Sequence, residues 1–425
     1  MFRVAMLSVH TCPLAVLGGK EAGGMNVYVR ELSRELARRG LHIDVFTRSQ
    51  NTITPLTHTL SKNARIIHLP AGPLKPYNKN DVHQHLPEFV QYVREWQRSE
   101  NVRYDVIHAH YWLSGAAGLM LKKYWNVPVI QMFHTLAQLK NAIAKNEAER
   151  EPLFRAEHEA EIMQKVDRII AATPAEKSQL GWLYGAPLDK VEVVPCGVDT
   201  RLFWPRSQPE ARATLGLTSK RIILLVGRLE PIKGVDVLIR ATQELVERYG
   251  NDPAELAVLI VGGGAKEGQL LNPEAIRLQK LVAETGLAQV VHFLPSQTQI
   301  QMPYYYSAAD VTVMSSHYES FGMAALESQA CGTPVVASRV GGLPYVVQDR
   351  VSGLLVPDDD SQALAAALIQ LLDDTSLRQR LGQQAVLRAE QFTWRAIANQ
   401  ITQVYEDVTA PLLEELPATG ALLSR

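Results

Sequence analysis

The chain has 425 residues, of which 46% are hydrophobic and 20% charged, and its formal net charge is −1. This length exceeds the usual size of one hydrophobic core and predicts two domains. Because the charge is balanced, we expect neither nucleic acid nor an anionic membrane as a partner. The three cysteines, Cys12, Cys196 and Cys331, have no CxxC or His/Cys ligand spacing, which indicates reduced thiols in a cytoplasmic protein.

The segment Met1–His10 is apolar but too short for a secretory signal, and it predicts a first buried strand. No apolar run approaches the length needed to span a membrane. Short apolar runs then alternate with amphipathic stretches, which is typical of parallel βαβ units. The predicted strands are Phe2–Val9, Ile43–Thr47, Val106–His108, Val127–Phe133, Arg168–Ala172 and Val191–Pro195, and the predicted helices include Met25–Arg39 and Phe89–Arg98.

The same alternation begins again after a polar, turn-rich segment, Gly197–Ser219. We therefore predict an α/β protein with two doubly wound, Rossmann-like domains, residues 1–200 and 201–392, with ligands bound at the carboxyl ends of the strands. Residues 393–425 are expected to form a helix over Trp394–Leu412 that packs back toward the first domain, followed by a frayed tail. The predicted strands of the second domain are Arg221–Val226, Leu256–Val261, Val290–Leu294, Val311–Met314 and Pro334–Ala337.

Two carboxylates, Glu319 and Glu327, flank a Ser-Phe-Gly turn that opens into a predicted helix at Met323. A loop that opens into a helix presents free backbone N–H groups, which favour an anion such as the diphosphate of a sugar nucleotide. The two carboxylates can then address different hydroxyl groups of the same ligand. The alternative, two solvated glutamates, is disfavoured by Gly322 and by the apolar residues around it.

Arg228 and Lys233 follow the predicted strand Arg221–Val226. Two cations at the carboxyl end of a strand can neutralise a diphosphate leaving group without a metal ion. The alternative interpretation is that Arg228 and Lys233 are basic surface residues without a ligand. Near the N-terminus, Gly18–Asn26 is rich in glycine but is not a strict GxGxxG, so a nicotinamide cofactor is poorly supported. Gly23 and Gly24 would allow close approach of the backbone to a phosphate or a sugar.

Basic and hydroxyl residues in the first half follow predicted strands and turns, and Arg155 lies in a charged helix. An arginine, a lysine, a tyrosine and a threonine at one point would make a good phosphate site, but the sequence alone does not show that they converge. His108 and His110 lack a third ligand at a recognisable spacing, so we favour structural or acceptor-lining roles over a metal site. The residues that we expect to bind the acceptor on the first domain are Lys79, Tyr111, His134, Thr135 and Arg155.

Together these motifs resemble family 4 of the retaining glycosyltransferases with the GT-B fold, from the Gly23-Gly24 loop to the strand Gly353–Val356. The resemblance implies that Glu327 holds the ribose hydroxyls, that Glu319 holds the donor sugar, and that the segment Phe293–Pro295 flanks the uracil. Gly262–Gly264 would shape the same pocket. The implied donor-binding residues are Gly23, Gly24, Arg228, Lys233, Leu294, Glu319, Phe321, Gly322, Met323 and Glu327.

Two branches of that family fit the first half. In the inositol-phosphate N-acetylglucosaminyltransferases of mycothiol synthesis, residues matching Lys79, Tyr111, Thr135 and Arg155 grip the acceptor phosphate, and the residue matching Asn26 contacts the acceptor ring. Sucrose-phosphate synthases bind fructose 6-phosphate but commonly carry Gln where this chain has Met25-Asn26. The glutamine-rich second half is untypical of an actinobacterial chain, which favours transfer from UDP-glucose to fructose 6-phosphate, with the inositol-phosphate transferase as the alternative.

No carboxylate is obviously placed as a nucleophile, and the resemblance implies front-face substitution in which the leaving phosphate accepts the proton of the acceptor hydroxyl. Arg228, Lys233 and the loop amides would stabilise the diphosphate, Glu319 would hold the sugar, and His134 would line it with its main-chain carbonyl toward the anomeric carbon. We expect no metal and no cofactor, since the UDP-sugar is a substrate. A non-catalytic nucleotide-sugar sensor is the alternative outside enzymology, and the sequence does not indicate an oligomeric state.

Overall fold

The computed structural model describes residues 2–15, 23–76, 78–144, 146–262 and 272–414. Three parts of the predictions fall outside these residues: the glycine loop before Gly23, the last two residues of Gly262–Gly264, and the tail from Glu415. Within the described residues, no helix combines the length and the apolar character needed to cross a bilayer.

Eight strands form the first sheet: β1 Arg3–Leu7, β2 His42–Arg48, β3 Thr57–Ser61, β4 Ala64–Leu69, β5 Val106–His110, β6 Val129–Met132, β7 Arg168–Ala171 and β8 Val191–Val193. Their order is β3-β4-β2-β1-β5-β6-β7-β8. All pairings are parallel except that of β3 with β4. The strand order reverses between β1 and β5, and a crevice opens at such a switch point.

The second sheet contains β9 Arg221–Val226, β10 Leu256–Val261, β11 Val291–Leu294, β12 Val311–Met314, β13 Val335–Ser338 and β14 Gly353–Val356. Its order is β11-β10-β9-β12-β13-β14, and every pairing is parallel. The reversal here lies between β9 and β12, so the segments that follow these two strands lie next to each other.

Helices cover both faces of the two sheets. In the described part of the chain they are α1 Gly24–Arg38, α2 Leu86–Ser99, α3 Trp112–Trp125, α4 Ala137–Ile143, α5 Leu153–Lys165, α6 Pro174–Tyr184, α7 Gln208–Leu215, α8 Val235–Tyr249, α9 Pro273–Glu284, α10 Met302–Ala308, α11 Met323–Ala330, α12 Leu343–Val346, α13 Ser361–Asp373, α14 Thr375–Glu390 and α15 Trp394–Glu414. Short 3-10 turns lie at Asp81–His85, Glu147–Glu149, Leu188–Lys190 and Pro231–Lys233.

Alternate residues of the central strands enter opposite apolar clusters. Val4 and Met6 of β1 belong to the cluster that contains Leu32 of α1, whereas Ala5 and Leu7 belong to the cluster that contains Leu113 of α3. A parallel strand covered on both faces must be apolar at every position, which is why these strands were recognisable as continuous apolar runs.

The chain passes between the domains twice, and the two crossings pair with each other. Val198 forms a parallel bridge with Thr393, and its N–H donates to the Phe392 carbonyl at 2.8 Å. Helix α15 then runs back along the first domain, where the Tyr405 hydroxyl lies 2.8 Å from Nδ1 of His108. We propose domain limits of 1–200, 201–392 and 393–425 on this basis.

Candidate active site

A cleft of about 1290 Å³ lies between the two domains. Its walls come from the segments that follow β1, β5 and β6 on one side and β9, β10 and β12 on the other. The predicted site residues that line it are Gly23, Gly24, Asn26, Lys79, Tyr111, His134, Thr135, Arg228, Lys233, Glu319, Phe321, Gly322, Met323 and Glu327. Two predicted residues are not among the lining residues: Leu294 ends β11, and Arg155 is fully buried behind the first-domain wall.

The two walls touch at one edge of the cleft. A Cβ atom added to Gly24 would lie 3.1 Å from Sδ of Met323, and one added to Gly23 would lie 3.8 Å from Nε of Arg228. Arg30 of α1 also hydrogen-bonds the side-chain oxygen of Gln299 in the second domain. Groups from both domains therefore face the same cleft.

On the second-domain wall, both predicted cations lie beside carboxylates. Nζ of Lys233 is 2.6 Å from Oε2 of Glu319, and Nη1 of Arg228 is 2.9 Å from Oε1 of Glu230. Lys233 ends a 3-10 turn that is followed by Gly234 at φ +56°, where an added Cβ would lie 2.0 Å from the carbonyl oxygen of Ser315. The turn therefore packs directly on the segment after β12, and this packing fixes Lys233 beside Glu319.

Glycines also shape the start of α11. Gly322, at φ +104°, directly precedes this helix, whose first N–H groups have no partner within the helix. The neighbouring pair Gly341-Gly342 supports the loop from behind, because the Gly342 N–H donates to the Glu319 carbonyl at 2.8 Å and an added Cβ on Gly341 would lie 2.0 Å from the same oxygen. This pair was not predicted, although adjacent glycines shortly after a strand are a usable signal.

Glu327 lies half-buried on α11 and lines the cleft. Its Oε2 accepts a hydrogen bond from the Tyr306 hydroxyl at 2.9 Å. Burial raises the pKa of Glu327 to about 7, against the opposing effects of Tyr306 and Arg30. A carboxyl group in this position can accept hydrogen bonds from the hydroxyl groups of a bound ligand.

The four residues predicted to grip a phosphate are brought together in the first domain. Nη2 of Arg155 donates to Oγ1 of Thr135 at 3.1 Å and to its carbonyl at 2.9 Å. The guanidinium carbon of Arg155 lies 4.8 Å from the ring centroid of Tyr111. Arg155 and Lys79 also share one carboxylate oxygen, Oε1 of Glu151, at 2.9 and 3.0 Å.

Two members of this group were not predicted. Nζ of Lys140 donates to the same Glu151 oxygen at 2.6 Å, and Lys140 lines the cleft. Burial would raise the pKa of Glu151, but Arg155, Lys79 and Lys140 together hold it well below its ordinary value. These residues come from separate loops and helices, and no spacing in the sequence marks them.

Asn26 lies on the first-domain wall, and its side chain is hydrogen-bonded to neighbouring residues of the same domain. Its Nδ2 donates to Oγ1 of Thr11 and to the Cys12 carbonyl, both at 2.8 Å. Its Oδ1 accepts from the N–H of Gly23 at 2.8 Å. Asn26 therefore joins the loop after β1 to the start of α1, and contact with an acceptor ring stays a prediction.

His134 lines the cleft with φ +61°, and its Nε2 is 3.0 Å from Nδ1 of His110. Burial lowers the pKa of His134 to about 3, and His108 adds to this effect. His134 is therefore neutral near pH 7, which suits a residue that lines a sugar. Within the described ranges, no three His, Cys, Asp or Glu side chains are grouped as metal ligands.

Known proteins match both halves of the chain. The family model described as Glycosyltransferase Family 4 matches residues 22–202, and the model described as Glycosyl transferases group 1 matches residues 207–388. The D-inositol 3-phosphate glycosyltransferase of Saccharomonospora viridis is 41% identical over 410 residues, which cover 96% of this chain and 94% of that protein. Its counterpart from Acidothermus cellulolyticus is 42% identical over 428 residues, which cover 100% and 94%.

Among solved structures, a sucrose-phosphate synthase from Thermosynechococcus elongatus superposes with a TM-score of 0.88 at 35% identity and covers 97% of this chain and 100% of that one. HepE of Anabaena, solved with UDP and glucose, superposes with a TM-score of 0.73 and covers 96% of this chain and 100% of that one. Its sequence is only 18% identical, so this similarity supports the fold alone. The predicted α/β class with two Rossmann-like domains is confirmed. The relatives match almost end to end, and the chain belongs to family 4 of the GT-B glycosyltransferases and is a hexosyltransferase.

Proposed function

We propose that this enzyme moves a sugar, with retention of configuration, from a UDP-sugar to a small phosphorylated polyol or sugar, and that an inositol phosphate is its acceptor. The observation that carries the proposal is the convergence of three cations on Glu151: Lys79 and Lys140, which line the first-domain wall of the cleft, and Arg155, which is buried behind it. Clustered cations recognise a phosphate through charge-assisted hydrogen bonds. The second-domain wall supplies Arg228, Lys233 and the start of α11 for a diphosphate.

The choice of acceptor rests on the relatives. Proteins called D-inositol 3-phosphate glycosyltransferases are 41% and 42% identical over 94% of their own length. Composition favoured fructose 6-phosphate, but a compositional cue carries less weight than identity along the whole chain. The Met25-Asn26 pair, which replaces the Gln common in sucrose-phosphate synthases, points in the same direction.

In the proposed reaction, the bond between the anomeric carbon and the diphosphate oxygen breaks, and a bond to the acceptor oxygen forms on the same face. Arg228, Lys233 and the amides of α11 stabilise the negative charge that develops on the diphosphate. The proton of the acceptor hydroxyl moves to the leaving phosphate. His134 lines the sugar, and its lowered pKa makes its imidazole too weak a base to take the acceptor's proton.

Fructose 6-phosphate is the second candidate acceptor, with UDP-glucose as donor. One observation favours it: the solved structure with a TM-score of 0.88 and 35% identity is a sucrose-phosphate synthase. Both acceptors carry a phosphate, so both are compatible with the cation cluster. They differ in the ring that would lie against Asn26, Tyr111 and His134.

An assay of nucleoside diphosphate release over a matrix of substrates separates the candidates. The donors are UDP-glucose, UDP-N-acetylglucosamine and ADP-glucose. The acceptors are inositol 3-phosphate, fructose 6-phosphate and glucose 6-phosphate, with inositol and fructose as phosphate-free controls. We expect UDP release with the phosphorylated acceptors alone, and the highest kcat/KM with inositol 3-phosphate. Release with fructose 6-phosphate but not with inositol 3-phosphate would establish the second candidate, and release with none would contradict transfer to a phosphorylated acceptor.

A further inference from the structure

A carboxylate contacts three cations on the acceptor side of the cleft, two lysines that line the cleft and one arginine that is buried behind its wall. We call Lys79, Lys140 and Arg155 the acceptor cluster. All three contact one oxygen, Oε1 of Glu151, at 3.0, 2.6 and 2.9 Å. The two lysines line the cleft and are each 25% exposed, whereas the Glu151 side chain is 6% exposed and lies beneath them.

Glu151 is held in place through its backbone. Its N–H donates to Oδ1 of Asn141 at 2.7 Å, and its carbonyl accepts from Nδ2 of Asn141 at 3.1 Å. Asn141 is the neighbour of Lys140 on α4, so one short helix positions both a lysine of the cluster and the carboxylate that it contacts. The carboxylate is thus fixed at its position, whereas the two lysine side chains are long and partly exposed.

The charges explain why a carboxylate is needed at this point. Three cations gathered around one point repel each other, and Glu151 and Glu159 are the carboxylates that contact Arg155 from either side. Burial lowers the pKa of Lys140, and the neighbouring charge of Lys79 lowers it further, against the attraction of Glu151. The five charged groups leave a formal charge of +1 for a ligand, because three positive charges oppose two negative ones.

We propose that Glu151 is a built-in counterion that the acceptor's anionic group displaces from Lys79 and Lys140, so that a dianion binds with a net gain and a monoanion with little or none. An incoming anion must compete with a carboxylate that already carries one negative charge. A monoanion replaces the single negative charge of the carboxylate with another single negative charge. A phosphate dianion instead interacts with each lysine about twice as strongly at equal distance. Arg155 stays between Glu151 and Glu159. This inference rests on the proposed function, because it assumes that the acceptor carries a phosphate.

Two small esters of similar shape test the selection by charge. Methyl phosphate is mostly a dianion at pH 7.5, since the second pKa of a phosphate ester is about 6, whereas methyl sulfate is a monoanion. We expect calorimetry on the full chain to give a Kd for methyl phosphate at least ~10-fold lower than that for methyl sulfate. In Glu151→Gln neither ester has a carboxylate to displace, so both should bind ~10-fold more tightly than in the wild type.

Glu157→Gln is the matched control, because it removes the same charge from an exposed position on α5, two residues after Arg155. It should leave both affinities within ~2-fold of the wild type. Equal affinity of the wild type for the two esters would overturn the selection. So would a Glu151→Gln variant that binds both esters more weakly, because Glu151 would then be a positioning residue only.

A structure of the wild-type protein with methyl phosphate tests the displacement without any variant. We expect Nζ of Lys79 and Lys140 within hydrogen-bonding distance of the phosphate oxygens and no longer on Glu151 Oε1. Lysines that stay on Glu151 would overturn the proposal. Failure of the proposed function gives a different result: methyl phosphate does not bind, and no phosphorylated acceptor stimulates UDP release.

Discussion

Replacement of Lys233 by alanine tests how the cleft stabilises its leaving group. Nζ of Lys233 is 2.6 Å from Oε2 of Glu319, and the two side chains are 24% and 15% exposed. A preorganised group that faces developing charge is worth about 100- to 1,000-fold in kcat, or roughly 3–4 kcal/mol. Lys233→Ala also leaves Glu319 without its cation beside an anionic leaving group. We therefore expect at least a ~100-fold loss in kcat, with UDP release as the assay.

A double variant separates the two effects. In Lys233→Ala/Glu319→Gln the unpaired carboxylate is gone, so its activity should exceed the value obtained by adding the two single losses in free energy. Lys220→Ala is the control, because Lys220 is 65% exposed and pairs with Glu255 at 3.5 Å. Turnover by Lys233→Ala within about threefold of the wild type would refute the leaving-group role, because the loss of a preorganised contact to developing charge should be far larger.

Three further predictions concern the first domain. Arg155 orders Thr135 and Glu151 on the acceptor side of the cleft, so Arg155→Ala should raise the KM for the acceptor at least ~10-fold in the UDP-release assay. The KM for the donor should change less than ~2-fold, and equal increases in the two KM values would argue against this role. Tyr405→Phe removes the hydroxyl that is hydrogen-bonded to the buried His108 ring, so it should lower the free energy of unfolding by about 1–2 kcal/mol in urea titrations. An unchanged urea midpoint of unfolding would count against that hydrogen bond. Burial raises the pKa of Glu176 to about 7 from 4.5, so the carboxyl group binds more protons in the folded state between these values. The Tm of the wild type minus that of Glu176→Gln should therefore fall as pH rises from 4.5 through 7, and a constant difference would count against this burial effect.

Much of the fold was predictable because a parallel strand covered on both faces leaves an uninterrupted apolar run. The predictions Arg221–Val226, Leu256–Val261 and Val311–Met314 coincide with β9, β10 and β12. The strand β3, Thr57–Ser61, was missed because it is a polar edge strand with mostly exposed side chains that pairs antiparallel with β4. Its five residues carry no apolar pattern that would distinguish it from a loop.

The donor wall was easier to predict than the acceptor wall. Glu319, Gly322 and Glu327 lie within one loop and one helix, so their chemistry is visible as a local motif. The acceptor cluster depends on contacts across 72 positions between Lys79 and Glu151 and across 11 between Lys140 and Glu151. Such contacts are fixed by the packing of α4 and α5, and local spacing does not encode them. The roles of all these residues toward substrates remain predictions.

Transfer with retention from a UDP-sugar to a phosphorylated acceptor is the central proposal for this enzyme. The most direct measurement is the NMR spectrum of the purified product formed from UDP-N-acetylglucosamine and inositol 3-phosphate, with fructose 6-phosphate and UDP-glucose as the parallel reaction. We expect one new glycosidic bond with the α configuration of the donor and an intact phosphate on the acceptor. A β-linked product, or hydrolysis of the donor without any phosphorylated glycoside, would contradict the proposal.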